Sequence, residues 1–165
     1  MLRGKLNVGH PTLNDGTLVN LSRIAHMSKS RVLIVEDEYL VAADLEAALE
    51  DFGYASVGIA QDLETALNLA RARPDIALVD VHLRDGETGP LIARRLVEEF
   101  AVKVLFVTAN PRMVADTKLP GAIGVIGKPC QHELIAAALE YALVVEDSVT
   151  LPAPPVGLTL LGRAA

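Results

Sequence analysis

From residue 31 onward, short apolar runs alternate with longer stretches in which apolar residues recur every three or four positions. The short runs are typical of strands, and the longer stretches have the periodicity of helices that bury one face. Runs as apolar as Ile76–Val79 are typical of strands buried on both faces of a parallel sheet. The predicted strands are Val32–Val35, Tyr54–Ile59, Ile76–Val79, Val104–Val107 and Ala122–Ile126.

Helices are predicted between these strands and after the last one. Asp62 is a typical N-cap residue, and Gly53 stands where a glycine commonly follows a helix. The predicted helices run to about Phe52, from Asp62 to before Pro74, from Pro90 to about Phe100, over a short span at Pro111–Asp116, and from about Gln131 to Val144. This alternation predicts a doubly wound α/β fold of five βα units, with a parallel five-stranded sheet between two helical layers.

Composition fits one domain with a segment on either side. We expect residues 1–30 to be a flexible N-terminal extension, 31–144 the domain, and 145–165 a proline-rich tail whose leucines either dock or remain disordered. The net charge of −6, without a basic stripe, argues against a nucleic-acid partner. No apolar run suits a bilayer, and the single Cys130 fits a reducing compartment. We therefore expect a cytoplasmic protein without a membrane partner.

Side chains suited to chemistry follow four of the five predicted strands. In a parallel sheet of order 2-1-3-4-5 they share one edge, and the first and third strands flank the point where ligands bind. Clustered carboxylates repel one another unless a cation shares their site, and Mg²⁺ suits oxygen donors. Carboxylates, a hydroxyl, an ammonium group and a metal together favour phosphoryl transfer. These residues are Glu36 and Asp37 after the first strand, Asp80 after the third, Thr108 after the fourth and Lys128 after the fifth.

Each of these residues has a simpler explanation when it is taken alone. Asp80 can cap a turn, and the Glu36-Asp37 pair can sit at a helix N-terminus. Thr108 can be an ordinary strand-end residue, and Lys128 an ordinary solvated charge. Their coincidence at four strand ends is what favours one shared site.

The same residues resemble the receiver domain of two-component response regulators, over about residues 31–144. The resemblance implies a flavodoxin-like fold, with Asp80 as the acceptor of a phosphoryl group from a sensor histidine kinase or a histidine phosphotransfer protein. It rests on Val32-Leu33-Ile34-Val35-Glu36-Asp37-Glu38, Ala77-Leu78-Val79-Asp80-Val81-His82-Leu83-Arg84-Asp85-Gly86, Val107-Thr108-Ala109 and Lys128-Pro129.

Roles for the remaining site residues follow from this resemblance. Asp37, Asp80 and the backbone carbonyl of His82 would bind Mg²⁺, and Glu36 would act largely through water. Thr108 would be the switch hydroxyl, and Lys128 would contact the phosphoryl group. The Lys128-Pro129 bond looks like the cis peptide of the family. Such domains often carry an aromatic residue three places before the lysine, where this chain has Val125.

The expected function is a stand-alone phosphoacceptor switch, since residues 145–165 are too few for a DNA-binding output domain. Its output would be contact with a downstream protein, or a homodimer through the face of the fourth and fifth βα units. One alternative is a degenerate receiver that binds partners without phosphorylation. Another is a Mg²⁺-dependent phosphohydrolase with an aspartyl-phosphate intermediate, although His82 stands where such enzymes usually place a second acid.

Overall fold

The computed structural model describes residues 30–144 and 153–162, which form a six-stranded sheet between two layers of helices. The strands are β1 (Arg31–Val35), β2 (Ala55–Ala60), β3 (Ile76–Val79), β4 (Lys103–Thr108), β5 (Ala122–Gly127) and β6 (Leu158–Leu160). The helices are α1 (Tyr39–Asp51), α2 (Leu63–Ala70), α3 (Gly89–Phe100) and α4 (His132–Val144), with a short 3₁₀ helix at Pro111–Met113. No helix in these two described ranges is both long and apolar enough to cross a membrane.

The strand order is β2-β1-β3-β4-β5-β6, and the first five strands are parallel. The predicted α/β fold and its 2-1-3-4-5 order are therefore confirmed. The prediction of a five-stranded, wholly parallel sheet is wrong, because β6 from the tail pairs antiparallel with the outer edge of β5. A three-residue strand is too short for periodicity to reveal it.

Two apolar cores lie on opposite sides of the sheet because successive strand side chains alternate in direction. Helices α1 and α4 cover one core, and α2 and α3 cover the other. The first contains Val32, Ile34, Leu45, Leu49, Leu105, Ile135 and Leu139, and the second contains Leu33, Val35, Ala66, Val79, Ile92, Leu96 and Phe106.

Local signals at the helix ends agree with the structure. The Asp62 side chain accepts a hydrogen bond from the Thr65 N–H at 2.8 Å, as expected of an N-cap. Gly53 has φ +81° directly after the last turn of α1, a left-handed conformation that glycine adopts without strain. The Lys128-Pro129 peptide is cis, as the family resemblance implied.

Two regions differ from expectation or lie outside the structure. The helix expected at Pro111–Asp116 is only the short 3₁₀ helix, after which Val114 is fully buried. In the tail, Leu158 and Leu161 are both buried, so the described part of this segment docks on the sheet. The N-terminal extension falls outside the described residues, apart from Ser30.

Candidate functional site

The acidic end of β1 is held in place by the neighbouring strand. The Glu36 N–H donates to the Ala60 carbonyl at 2.9 Å, which carries the β-ladder one residue beyond Val35. The Glu36 side chain is only 1% exposed, and its Oε1 accepts from the Glu38 N–H at 3.2 Å. Burial raises the pKa of Glu36, and the nearby Lys128 ammonium offsets this only in part.

Asp80 follows β3 and lies beside the end of β1. Its backbone N–H donates to the Val35 carbonyl at 2.9 Å, and the residue is 8% exposed. Its Oδ1 accepts from the Val81 N–H at 2.6 Å and from the His82 N–H at 3.3 Å. The main chain therefore fixes one carboxylate oxygen of Asp80 and orients the other.

Lys128 joins the two buried carboxylates. Its Nζ donates to Glu36 Oε2 at 2.5 Å and to Asp80 Oδ2 at 2.7 Å. Burial lowers the pKa of Lys128, but hydrogen bonds and charges from Asp80 and Glu36 outweigh burial, and the net shift is upward. The lysine is therefore a charged ammonium at neutral pH, and it holds together groups from the ends of three strands.

Thr108 ends β4 next to the strand that carries Lys128. It pairs in register with Gly127, and its carbonyl accepts from the Lys128 N–H at 2.9 Å. The residue is fully buried, and its hydroxyl oxygen accepts from the Asn110 N–H at 3.3 Å. Its hydroxyl proton can therefore be donated to an incoming oxygen.

Asp37 is the predicted site residue for which the structure gives the least support. It is partly exposed in the turn between β1 and α1. Within residues 30–144 and 153–162, no three His, Cys, Asp or Glu side chains are grouped so as to hold a metal ion. The site that the structure does assemble consists of Glu36, Asp80 and Lys128, with Lys128 as the cation between the acids.

Comparison with known sequences decides the family. A sequence profile of the response regulator receiver domain matches residues 32–140, which contain all the residues above. The chain belongs to the response regulator receiver family. The resemblance to a receiver domain of two-component signalling, drawn from the strand-end motifs, is therefore confirmed at the level of the family.

Among similar receiver proteins, the phyllosphere-induced regulator PhyR of Methylorubrum extorquens is 35% identical over 121 residues, 72% of this chain and 45% of PhyR. The transcriptional regulatory protein PdtaR of Mycobacterium tuberculosis is 33% identical over 117 residues, 68% of this chain and 56% of PdtaR. The chain thus spans about half the length of these curated relatives.

Solved receiver structures are similar too. The PhyR receiver domain of Erythrobacter litoralis has a TM-score of 0.65 and 29% identity, over 76% of this chain and 98% of that one. The anti-anti-sigma factor PhyR of Bartonella quintana has a TM-score of 0.64 and 25% identity, over 81% of this chain and 54% of that one. These similarities agree with the flavodoxin-like fold.

The structure also reveals one residue beside the site, Gly89, that sequence reasoning missed, and it shows where Val125 lies. Gly89 begins α3 directly against the Asp80 loop, where an added Cβ would lie 2.7 Å from the Val81 Cα. Val125, which stands in place of the aromatic residue, is buried in the same core as Val114 and Leu161. The Thr88-Gly89-Pro90 sequence at the start of α3 was the available signal for Gly89, and it gives no distance to Asp80.

Proposed function

We propose that Asp80 accepts a phosphoryl group from a phosphohistidine of a sensor histidine kinase or of a histidine phosphotransfer protein. In this step a carboxylate oxygen of Asp80 forms a bond to phosphorus while the phosphorus–nitrogen bond to the imidazole breaks. The imidazole keeps the electron pair and takes up a proton. The observation that carries the proposal is the contact of the Asp80 carboxylate with the Lys128 ammonium at 2.7 Å, inside a shielded site.

Lys128 and Thr108 would receive the transferred group. A phosphoryl group adds about 1.5 to 2 negative charges and three acceptor oxygens at neutral pH. The Lys128 ammonium already touches the Asp80 carboxylate, so it neutralises part of this added charge. Thr108 lies on the next strand and supplies a hydroxyl donor. Both residues would then contact the phosphoryl oxygens. Because Thr108 ends β4 and Lys128 follows β5, these contacts would shift the ends of both strands toward Asp80.

Mg²⁺ is the proposed cofactor, and the donor chemistry fits it. Glu36, Asp37, Asp80 and the backbone carbonyl of His82 are oxygen donors of the kind that a hard divalent cation takes. They come from the two loops that follow β1 and β3. When bound, the ion supplies positive charge to the phosphoryl oxygens. The residues proposed to hold it are Asp37, Asp80 and His82, with Glu36 acting through water.

The start of α1 offers a surface for the phosphoryl donor. Leu40 is 80% exposed, and Tyr39 beside it is exposed as well. Leu40 and Lys128 both line a cavity of about 600 Å³ between α1, β4 and the start of α4. Exposed apolar side chains next to a reactive group suit a docking protein. A donor protein that packs on Leu40 would bring its phosphohistidine to the edge of the sheet that carries Asp80.

For the output, we propose contact with a downstream protein. The similarity to PhyR, one form of which is described as an anti-anti-sigma factor, favours a protein of sigma-factor control as that partner. Binding of purified anti-sigma factor to the phosphorylated and unphosphorylated chain, measured by calorimetry, tests this part. Equal affinity for both forms would argue for the alternative, a receiver that acts without phosphorylation.

The test of the acceptor is labelling with acetyl phosphate and Mg²⁺, read by intact-protein mass spectrometry. We expect one added phosphoryl group in the wild type and none in Asp80→Asn. Asp85→Asn is the matched control, because Asp85 is an exposed acid in the same loop whose side chain bonds Thr88. Thr108→Ala should still be labelled, because its hydroxyl is not the acceptor. Labelling of Asp80→Asn at the wild-type level would disprove the proposal.

The same samples test the phosphohydrolase alternative. A receiver loses its own phosphoryl group once per labelling event, whereas a phosphohydrolase releases phosphate from small phosphomonoesters repeatedly. His82 stands where such enzymes usually place a second acid. Its side chain is half exposed, and its Nε2 lies 3.7 Å from Glu87 Oε1. Sustained phosphate release over many turnovers would favour the enzyme, and we expect none.

A further inference from the structure

Helices α1 and α4 lie on the same side of the sheet, and the cavity of about 600 Å³ opens between them. Its inner wall is apolar, because Leu45, Val107 and Ile135 line it and each is 5% exposed or less. Lys128 lines the cavity as well, and its ammonium contacts Asp80. The cavity therefore leads from the protein surface to the counter-charge of the acceptor site.

Two polar side chains meet at the outer rim of this cavity. Asp44 belongs to α1, His132 is the first residue of α4, and both line the cavity. The His132 Nε2 lies 3.0 Å from Asp44 Oδ2. The His132 side chain is 36% exposed and that of Asp44 is 66% exposed, in contrast to the inner wall. The contact thus joins the two helices across the exposed side of the cavity.

The charges around His132 favour its protonated form. The hydrogen bond with Asp44 is the largest influence and raises the pKa of His132 above its usual 6.5. The negative charges of Asp51 on α1 and of the neighbouring Glu133 on α4 act in the same direction. The contact is therefore strongest below pH 6.5 and weakens as the pH rises through the raised pKa.

Lys128 and Cys130 are the other groups on the cavity wall that can gain or lose a proton on this side of the site. The Lys128 ammonium is already paired with the two buried acids of the acceptor site. Burial raises the pKa of the Cys130 thiol, so the thiol stays protonated at neutral pH. His132 is therefore the group on the cavity wall that is suited to change its charge near neutral pH.

We propose that His132 and Asp44 form a pH-dependent latch over this cavity. While the imidazole is protonated, its charge-assisted hydrogen bond to the carboxylate closes the opening between α1 and α4. When the imidazole releases its proton to solvent, the bond weakens and a bulky apolar group can enter. Docking of the phosphoryl donor on Leu40 at this cavity would then be favoured above neutral pH, a consequence that rests on the function proposed above.

The latch should bias access and should not act as an all-or-none gate. Both side chains are exposed, and an exposed ion pair changes an equilibrium between two arrangements by about fivefold at most. We expect the open fraction to change about threefold between the protonated and the neutral form of His132.

Cys130 is the single cysteine of the chain, and it reports on access to the cavity. The test labels the full chain with N-methylmaleimide or with the much bulkier N-pyrenylmaleimide, and mass spectrometry gives both rates from about pH 5.5 to 8. Both reagents react with the thiolate by the same addition, so the ratio of their rates cancels the thiolate fraction. In the wild type, the ratio of pyrenyl to methyl labelling should rise about threefold with pH.

Variants of the two latch residues locate the effect. Asp44→Asn and His132→Gln should each remove the pH dependence and keep the ratio near its high-pH value. Asp51→Asn is the matched control, because it removes an acid from the same helix and leaves the contact in place. This control should keep the rise with pH. Circular dichroism establishes that each variant is folded.

A ratio that does not change with pH in the wild type would overturn the proposal, as would an equal rise in folded Asp44→Asn. The thiol assay involves no phosphoryl transfer, so its outcome is separate from the labelling of Asp80. A working latch in a chain that acetyl phosphate does not label would refute Asp80 as the acceptor and leave the latch in place.

Discussion

Lys128 is the residue on which the charge balance of the site depends. Its ammonium is the counter-charge of both Glu36 and Asp80, and Glu36 is almost completely buried. Two carboxylates this shielded and this close to the same ammonium would repel each other without it. The lysine therefore has a structural role before any phosphoryl group arrives.

Replacing Lys128 with methionine should destabilise the fold. Methionine keeps most of the side-chain volume but leaves a buried acid without a counter-charge, which typically costs about 3 kcal/mol. Urea unfolding at pH 7 in the presence of a chelator measures this loss. Lys118→Met removes the same charge from an exposed position and should change the free energy of unfolding little. Equal stability of both variants would contradict the assigned charge balance.

His132 makes a second cross-element contact at the rim of the cavity beside Lys128. Its Nε2 lies 3.0 Å from Asp44 Oδ2, and this hydrogen bond raises the pKa of His132 above its usual 6.5. The contact therefore makes its full contribution to stability below pH 6.5. This contribution is lost as the pH rises through the raised pKa of His132. NMR titration should show the raised value in the wild type and a return toward 6.5 in Asp44→Asn. An unchanged pKa in that variant would contradict the assignment.

For these single residues, the sequence identified the correct strand ends but not the contacts between the side chains there. The positions of Glu36, Asp80 and Lys128 follow from where apolar runs stop, which is a local property of the chain. Lys128 bridges the two acids because its side chain reaches across the ends of three strands. The periodicity of the sequence does not encode such contacts. The roles of these residues in phosphoryl transfer, and that of Asp37 in metal binding, stay predictions.

Among the elements, α3 begins directly against the acceptor loop. The Gly89 N–H donates to the Val81 carbonyl at 3.1 Å, and the missing side chain lets the helix start against the backbone of Asp80. Glycine allows this approach because any Cβ would overlap backbone atoms that cannot move independently. The first turn of α3 thus helps to fix the main chain that orients the Asp80 carboxylate.

Gly89→Ala should therefore disturb both stability and the acceptor site. The added methyl group forces α3 away from the loop, and overpacking of this kind costs about 1–3 kcal/mol. We expect a lower midpoint in urea unfolding and slower labelling by acetyl phosphate than in the wild type. Gly162→Ala adds a methyl group in open space and serves as the control. Labelling and stability at wild-type levels would show that the helix start tolerates a Cβ.

The elements also show why fully apolar strands were predictable and shorter, partly exposed ones were not. β3 is buried along its whole length, so its four apolar residues were a sufficient signal. β6 has only Leu158-Thr159-Leu160, and it is recognisable only from its pairing with a distant strand. Likewise, Pro111 and Pro120 bounded the segment after β4 correctly, but the sequence did not reveal that only a short 3₁₀ helix forms there, followed by the buried Val114.

For the whole molecule, β5 links the acceptor site to the tail. Lys128 follows the carboxyl end of β5, and Ile126, two residues earlier, pairs with Leu158 of β6. Thr108 is joined to the same strand end through the Lys128 N–H. A shift of Lys128 and Thr108 toward a phosphoryl group therefore acts on the strand that holds the tail.

Phosphorylation should thus loosen β6. With beryllofluoride and Mg²⁺ as a stable mimic, hydrogen exchange of residues 157–162 should become severalfold faster, while exchange of β1 stays unchanged. Asp80→Asn, treated in the same way, should show no such change. Unaltered exchange of the tail in wild-type protein that has bound the mimic would mean that the acceptor site and β6 are not coupled.

The docked tail has a practical consequence for producing the domain. A recombinant fragment trimmed after Val144 would lack Leu158 and Leu161, leaving an apolar strand edge bare and both cores open at one end. Bare strand edges recruit other strands, so such a fragment should aggregate during expression. Affinity tags and fluorescent reporters are therefore better attached ahead of Ser30 than in place of the last residues.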